Sequence, residues 1–288
     1  MRVFRDELAV KLSTVEDLPT LPSIVLELER LLQNEAVGVD DVALVIEEDP
    51  AIAASVLRVA NSVMYYSSIS GTIISLRDAI TRLGFKEVDR LVSSAALIRT
   101  FGRLGHHLDP KCFWRKSLST AVAGRVIARS VTVPVPLDEG EAYIAGLLHD
   151  VGLLILDEYF PDTYGQLQAV AVKQGGALAD VERGVLGLDH GEIGGYLLDR
   201  WNLPEALVEA ITWHNQPDRA KPEARLTAEG VQVSEMATEV LDVEGDSEEL
   251  MQTMLGHRIW GQLGISSEGV VAVLDETRSQ RTPVFALF

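Results

Sequence analysis

From about Ser23 onward, apolar residues recur three and four positions apart, and strict apolar/polar alternation is nearly absent. That periodicity predicts helices throughout and an all-α fold. Asp49-Pro50 opens one helix, a capping carboxylate followed by proline at the first helical position, where a missing N–H costs nothing. Ile52, Val56, Val59, Ala60 and Val63 form its apolar face. The next helix starts at Ser75, whose hydroxyl can cap while Asp78 reaches back to the free Ser75 amide; Leu76, Ala79, Ile80 and Leu83 make its stripe. Gly84 ends that helix and another follows over 86–99, so 75–99 has the outline of a helix-turn-helix.

The periodicity breaks between Phe101 and Pro110, at Gly102, Gly105 and His106-His107, which marks a seam between two lobes. Helices resume over 112–130, stop at Pro134 and Pro136, and restart at Asp138, where Glu141 would complete a capping box. One helix is expected over 138–159, then helices over 190–201 and 203–214 ended by Gln216-Pro217, then a loop over 218–223. The remainder, broken at Gly245-Asp246 and Gly264, reads as a small helical tail. The expected architecture is a two-lobed helical bundle: an N-terminal lobe over 1–105, a second lobe over 106–240 and a tail over 241–288. No repeat or low-complexity tract interrupts it.

A chain of 288 residues can bury a sizeable core. Its 43 acidic against 25 basic residues give a net charge of -18, which repels nucleic-acid backbones and anionic lipid surfaces. In the 75–99 unit, Glu87 and Asp89 stand beside Lys86 and Arg90, so a packed helical hairpin is favoured over a DNA-reading one. The lone Cys112 excludes an internal disulfide, fits a reducing cytoplasm, and is expected as a small semi-buried hydrophobe beside Phe113 and Trp114. Residues 1–11 lack the apolar core of a signal peptide, and the greasiest stretch, 142–156, is shorter than the ~20 residues of a bilayer span. A soluble cytoplasmic protein is the expectation.

Candidate chemistry sits inside that greasy stretch. His149 and Asp150 lie within Gly146-Leu147-Leu148-His149-Asp150-Val151-Gly152, and His190 and His214 follow, the latter on the face of Leu203, Leu207, Ala210 and Ile211. Imidazole and carboxylate gathered from several helices can hold a divalent metal. A lone core histidine is more often simply hydrogen-bonded, but an adjacent His-Asp pair shifts the balance towards a site or its remnant. His106, His107 and His257 fall in turn or tail positions and are expected to be solvated.

Leu18-Pro19-Thr20-Leu21-Pro22, the run from Glu48-Asp49-Pro50 to Ala60-Asn61-Ser62, and Ile74-Ser75-Leu76-Arg77-Asp78-Ala79-Ile80 resemble the hallmark stretches of HDOD domains, bacterial relatives of the HD phosphohydrolases. The likeness continues through Phe113-Trp114-Arg115-Lys116-Ser117, the His149-Asp150 segment, Asp189-His190-Gly191-Glu192 and Trp213-His214-Asn215-Gln216-Pro217, spanning roughly 12–217. HD phosphohydrolases are similar in using an early histidine, a His-Asp pair and a late aspartate to hold a metal that activates water against a phosphate ester. Here the early position is Lys116, and the late one, on a helix near 231–240, falls at about Ser234. An ammonium has no lone pair to give, and two unit charges ~4 Å apart interact by roughly 4 kcal/mol at an effective dielectric near 20, so it also repels a metal. The resemblance therefore implies a vestigial cluster of Lys116, His149, Asp150, His190, His214 and Ser234, with Lys116 paired to Asp150, no catalytic residue, and no resident metal or other cofactor. His190 and His214 also match second-metal positions of the HD-GYP cyclic-dinucleotide phosphodiesterases, but Asn215 replaces a second histidine and no Gly-Tyr-Pro motif is near. What the resemblance implies is a non-catalytic signalling module with protein partners and room for a nucleotide second messenger. The alternatives are a metal-dependent phosphohydrolase on nucleotides or cyclic dinucleotides, and a DNA-binding regulator acting through 75–99.

Overall fold

The computed structural model describes residues 18–34, 36–62, 65, 72–102, 105–243 and 248–287. The leader reading at 1–11, the start of the resemblance at 12–17, Val63 and the Gly245-Asp246 break lie outside them. Among the described residues there are helices and turns and no strands, as the periodicity predicts. The chain begins with α1 (Ser23–Leu32), α2 (Val39–Glu47), α3 (Pro50–Ala60), α4 (Leu76–Leu83) and α5 (Phe85–Phe101). A long α6 (Pro110–Ser130) comes next, followed by α7 (Glu139–Leu148), α8 (Val151–Tyr159), α9 (Pro161–Gln174), α10 (Leu178–Leu186), α11 (His190–Arg200), α12 (Glu205–Thr212) and α13 (Pro222–Asp242). The chain closes with α14 (Glu248–Leu255), α15 (Arg258–Gln262), α16 (Ser267–Val284) and a single turn at Phe285–Leu287.

The capping chemistry is largely where the sequence puts it. Asp49 accepts the Ala51 and Ile52 amides at 3.1 and 3.3 Å, and Ser75 Oγ accepts the Asp78 amide at 3.1 Å. The reciprocal half of each expected box differs. Asp78 accepts the Ser75 hydroxyl, at 2.7 Å, rather than its amide, and Glu141 turns away to accept from Thr227 of α13. Gly84 has φ +80°, a conformation that disfavours any side chain, and so permits the sharp α4–α5 corner.

That corner does not present a recognition helix. Along α5, Val88, Arg90, Leu91, Val92, Ala96, Leu97 and Phe101 are all buried, and the Arg90 guanidinium is bound to Glu87 at 3.0 Å. Most of α5 is thus spent on packing within the core.

One apolar cluster runs from Leu18 to Leu287. Phe101 packs against Trp114 and Trp201, and the Trp201 indole donates to the Pro19 carbonyl at 2.8 Å, tying the end of α11 to the segment before α1. Residues 106–108 are folded around Asp157, a fully buried carboxylate on α8 that accepts the amides of His106, His107 and Leu108 at 2.8–3.0 Å. The His106 and His107 side chains themselves are exposed. The C-terminal segment is not a peripheral tail. Helix α16 lies along α6, and the last turn sits against α3, so Val270, Val273, Leu274 and Leu287 belong to the common core.

Cys112 also departs from expectation. It lies in the first turn of α6 on the solvent side and is exposed, whereas Phe113 and Trp114 are buried. Asp109, capping the same turn, pushes its thiol pKa up and keeps the reactive thiolate scarce.

Candidate functional site

The predicted continuous helix over 138–159 is broken at its centre. Helix α7 ends at Leu148, His149 and Asp150 form a turn, and α8 restarts at Val151, so both functional side chains leave a helix junction. Two glycines make this possible. A Cβ on Gly146 would stand 2.7 Å from the Thr120 carbonyl of α6, and one on Gly152 would stand 2.0 Å from the His190 carbonyl. Both obstacles are backbone and cannot yield, so only glycine lets α7 and α8 approach closely enough to bring Asp150 to Lys116 and His190.

Asp150 is the hub. Its Oδ2 lies 3.1 Å from Lys116 Nζ and 3.1 Å from His149 Nε2; its Oδ1 lies 3.2 Å from His190 Nε2 and 3.9 Å from His214 Nε2. Four predicted residues thus converge on the fifth, and all but Lys116 are buried. Ser234 does not join them. Its hydroxyl donates to the Gly230 carbonyl of its own helix at 2.6 Å, on the face packed against Gly124 of α6. One residue further, about 100° around the helix, Glu235 enters the site with Oε1 2.6 Å from Lys116 Nζ and 4.0 Å from His149 Nε2. A carboxylate therefore stands in the cluster one position beyond the expected Ser234.

Glu182 of α10 is a second member the sequence reading missed. It is fully buried and accepts both the His190 amide and ring Nδ1–H, at 2.8 and 2.7 Å. The signal lies in spacing: Glu182 follows Ala179 and precedes Leu186 on one buried stripe, and Glu235 continues the stripe of Ala228 and Val231.

The ring nitrogens have defined roles. His149 Nδ1 and His214 Nδ1 face the carbonyls of Gly146 and Ile211, at 2.8 and 2.7 Å. A carbonyl only accepts, so each Nδ1 carries a proton and each Nε2 is turned towards Asp150. His149 Nε2, His214 Nε2 and Asp150 Oδ1 are buried with no hydrogen-bond partner. Burial, with the His149 and His190 rings beside it, drives the His214 pKa down to about 4 and keeps that ring neutral. Burial works against His190 as well, but Glu182 and Asp150 on its two sides outweigh it and raise its pKa well above the ordinary value. Lys116 is similarly held as an ammonium, burial being outweighed by Asp150 and Glu235. Asp150 is itself held well below the usual carboxylate range, because His149 and Lys116 overcome the cost of its burial.

Two sets could hold a cation: Asp150, His190 and His214, and His149, Asp150 and Glu235, the ligand atoms of each set lying within 4.8 Å of one another. The first could take a divalent metal if the ion displaced the His190 Nε2 proton, since His214 Nε2 and the Asp150 carboxylate converge there and each ring is oriented through its other nitrogen by a carbonyl or by Glu182. The second set already holds a cation, the Lys116 ammonium. The cluster opens onto a cleft of about 320 Å³, lined among others by Asn215, Gln232, Glu235 and Glu239.

Residues 18–217 match the HDOD domain family model. An uncharacterized protein of Treponema pallidum (strain Nichols) is 25% identical over 243 residues, covering 84% of this chain and 46% of that protein. The chain thus spans about half the length of that relative. The crystal structure of an HDOD domain protein of unknown function from Geobacter sulfurreducens superposes with a TM-score of 0.82 at 26% identity, covering 99% of this chain and 97% of that one. A protein of Shewanella amazonensis SB2B, provisionally named a phosphohydrolase, gives 0.75 at 26% identity over 96% and 97% of the two chains. With two thirds of its length matching the family model, and with the helical fold to go with it, this chain belongs to the HDOD domain family.

Proposed function

We propose that this chain is a regulatory module of bacterial signalling that does not hydrolyse phosphate esters, its HD-type site being held closed by its own lysine. The observation that carries the reading is the Lys116 ammonium lying 3.1 Å from Asp150 and 2.6 Å from Glu235. A fixed internal cation there neutralises two carboxylates that would otherwise attract a metal, and it offers no lone pair for coordination. The module then acts through contacts with protein partners, and its charge of -18 favours a basic partner surface. Among the described residues no helix is long and apolar enough to cross a membrane.

The test is metal analysis of protein purified without chelator, with turnover assays on cyclic dinucleotides and nucleoside polyphosphates. The expected result is substoichiometric metal and no turnover; one equivalent of metal with turnover overturns the reading. Lys116→Ala is expected to melt below the parent. A variant that melts like the parent while gaining metal would equally refute the lysine's role.

A second reading is favoured by the unpartnered His214 Nε2 and Asp150 Oδ1. In it Asp150, His190 and His214 would hold one divalent ion beside Lys116. Bound there, the metal would act as a Lewis acid and lower the pKa of a coordinated water. Glu182 would keep the His190 ring oriented, and Lys116 would hold Asp150 and Glu235 in place. The metal analysis distinguishes the two readings.

A further inference from the structure

A second cleft lies away from the His/Asp cluster and differs from the first in chemistry. It encloses about 310 Å³, with walls of Val25 from α1, Leu97 from α5, Ile144 and Leu148 from α7, and Leu207 from α12. Leu97, Leu148 and Leu207 are buried core residues, so the floor is a packed apolar surface. Three carboxylates, Glu29, Asp89 and Glu141, also line this cleft, and no cation does. Glu141 is occupied by the Thr227 hydroxyl. Asp89 is part-buried and, among the described residues, has no hydrogen-bond or ion-pair partner. The nearest cations stand in an adjoining groove that shares Asp89, Gly140 and Ile144 with this cleft: Arg90 there is bound to Glu87 and approaches Glu139, and Lys86 has no ion pair to Asp89 among the described residues.

An apolar pocket with one convergent, unpaired charge is the usual form of a small-molecule site. The sign of that charge selects the ligand. We propose that this second cleft binds a small amphiphilic cation, an aryl- or alkylammonium whose hydrocarbon body fills the Leu/Ile/Val walls while its ammonium pairs with Asp89. Anions are excluded by Glu29, Asp89 and Glu141 together, which removes nucleotides as occupants of this cleft. Because the walls come from α1 and α5 on one side and α7 and α12 on the other, an occupant adds contacts between them and raises the melting temperature. This inference does not depend on whether the Lys116 site is closed.

The test uses three near-isosteric probes on the full chain: 4-phenylbutylammonium, 4-phenylbutanol and 4-phenylbutanoate, followed by calorimetric titration and thermal shift. The ammonium is expected to bind at least ten-fold more tightly than the alcohol and to raise the melting temperature, with the carboxylate weakest. Asp89→Asn should lower ammonium binding to the level of the alcohol and leave the alcohol unchanged. Two cavity-filling variants from different walls, Ala206→Phe and Ile144→Phe, each checked for helical content, should abolish binding of both. Equal affinity for ammonium and alcohol, no binding of any probe, a charge preference that survives Asp89→Asn, or binding that survives in folded filling variants would each overturn the proposal.

Discussion

Two buried charged clusters, built from the same kinds of residue, end in opposite states. In the first, Glu87 receives Arg90 and Arg125 at 3.0 and 2.5 Å and the Tyr65 hydroxyl at 3.0 Å, while Arg125 reaches Gln280 of α16 at 2.7 Å. Apart from Arg125 Nε, these polar atoms are paired. Around Asp150, by contrast, His214 Nε2 and Glu182 Oε1 remain buried without hydrogen-bond partners, and the cluster borders a cleft. An unpaired buried polar atom costs roughly 1–3 kcal/mol, so a fold retains two together only where something other than stability maintains them. The Glu87 cluster joins three parts of the chain; the Asp150 cluster lines a cleft.

The contrast is most easily broken at Arg125. Arg125→Met should cost about 3 kcal/mol, because it removes two buried charge-assisted hydrogen bonds, to Glu87 and to Gln280, and leaves Glu87 with Arg90 and Tyr65 alone. Chemical denaturation measures it. A loss below about 1 kcal/mol would mean that Glu87 is not carrying a buried charge and that the two clusters do not differ in kind.

Asp157 provides the next step down. Asp157→Asn keeps the shape but weakens three charge-assisted amide bonds to one carboxylate, for an expected loss of about 2–3 kcal/mol. Hydrogen exchange should show the amides of His106, His107 and Leu108 losing protection first. If they exchange no faster than in the parent, the carboxylate is not what folds this segment.

Lys116→Ala should cost less, about 1–2 kcal/mol. The Lys116 side chain is 35% exposed, so solvent screens part of its pairing, and His190 still faces Asp150 when the lysine is gone. A loss matching that of Arg125→Met would make the Asp150 cluster a structural one after all.

Much of this contrast was legible in the chain, and its limits are physical. Helical periodicity gave the fold class, and the greasy setting of His149-Asp150, with inward-facing His190 and His214, pointed to four of the converging residues. Periodicity alone could not show that the helix over 138–159 breaks at Asp150, because Gly146 and Gly152 act through contact with α6 and α11, segments remote in sequence. The sequence points to Ser234 and not to Glu235 because a one-residue difference on a helix is a rotation of about 100°, and a weakly patterned stretch does not fix that angle. Glu182 is hard to find in the sequence because an acid reads as solvent-facing unless its apolar neighbours at three and four are weighed. Cys112 is the reverse case: two buried aromatics follow it, but it occupies the opposite side of the first turn.

The smallest expected effect has the opposite sign, and it separates a charge kept by pairing from one kept despite its cost. Asp89 has its pKa raised from 3.8 to about 6, chiefly by burial and then by Glu29, with Arg90 opposing. The folded chain therefore binds this proton more tightly than the unfolded one, so the group's contribution to stability is whole below about pH 4 and is lost as the pH rises from 4 to 6. Above pH 6 the folded state carries an ionised, poorly solvated carboxylate. Asp89→Asn should then stabilise the protein by about 1 kcal/mol at pH 7.5, a value reduced for partial exposure, and by nearly nothing at pH 4. Melting curves of parent and variant across that range measure the difference. A variant less stable than its parent at pH 7.5 would show that Asp89 is paired in solution, and would place it with Glu87 among the structural charges.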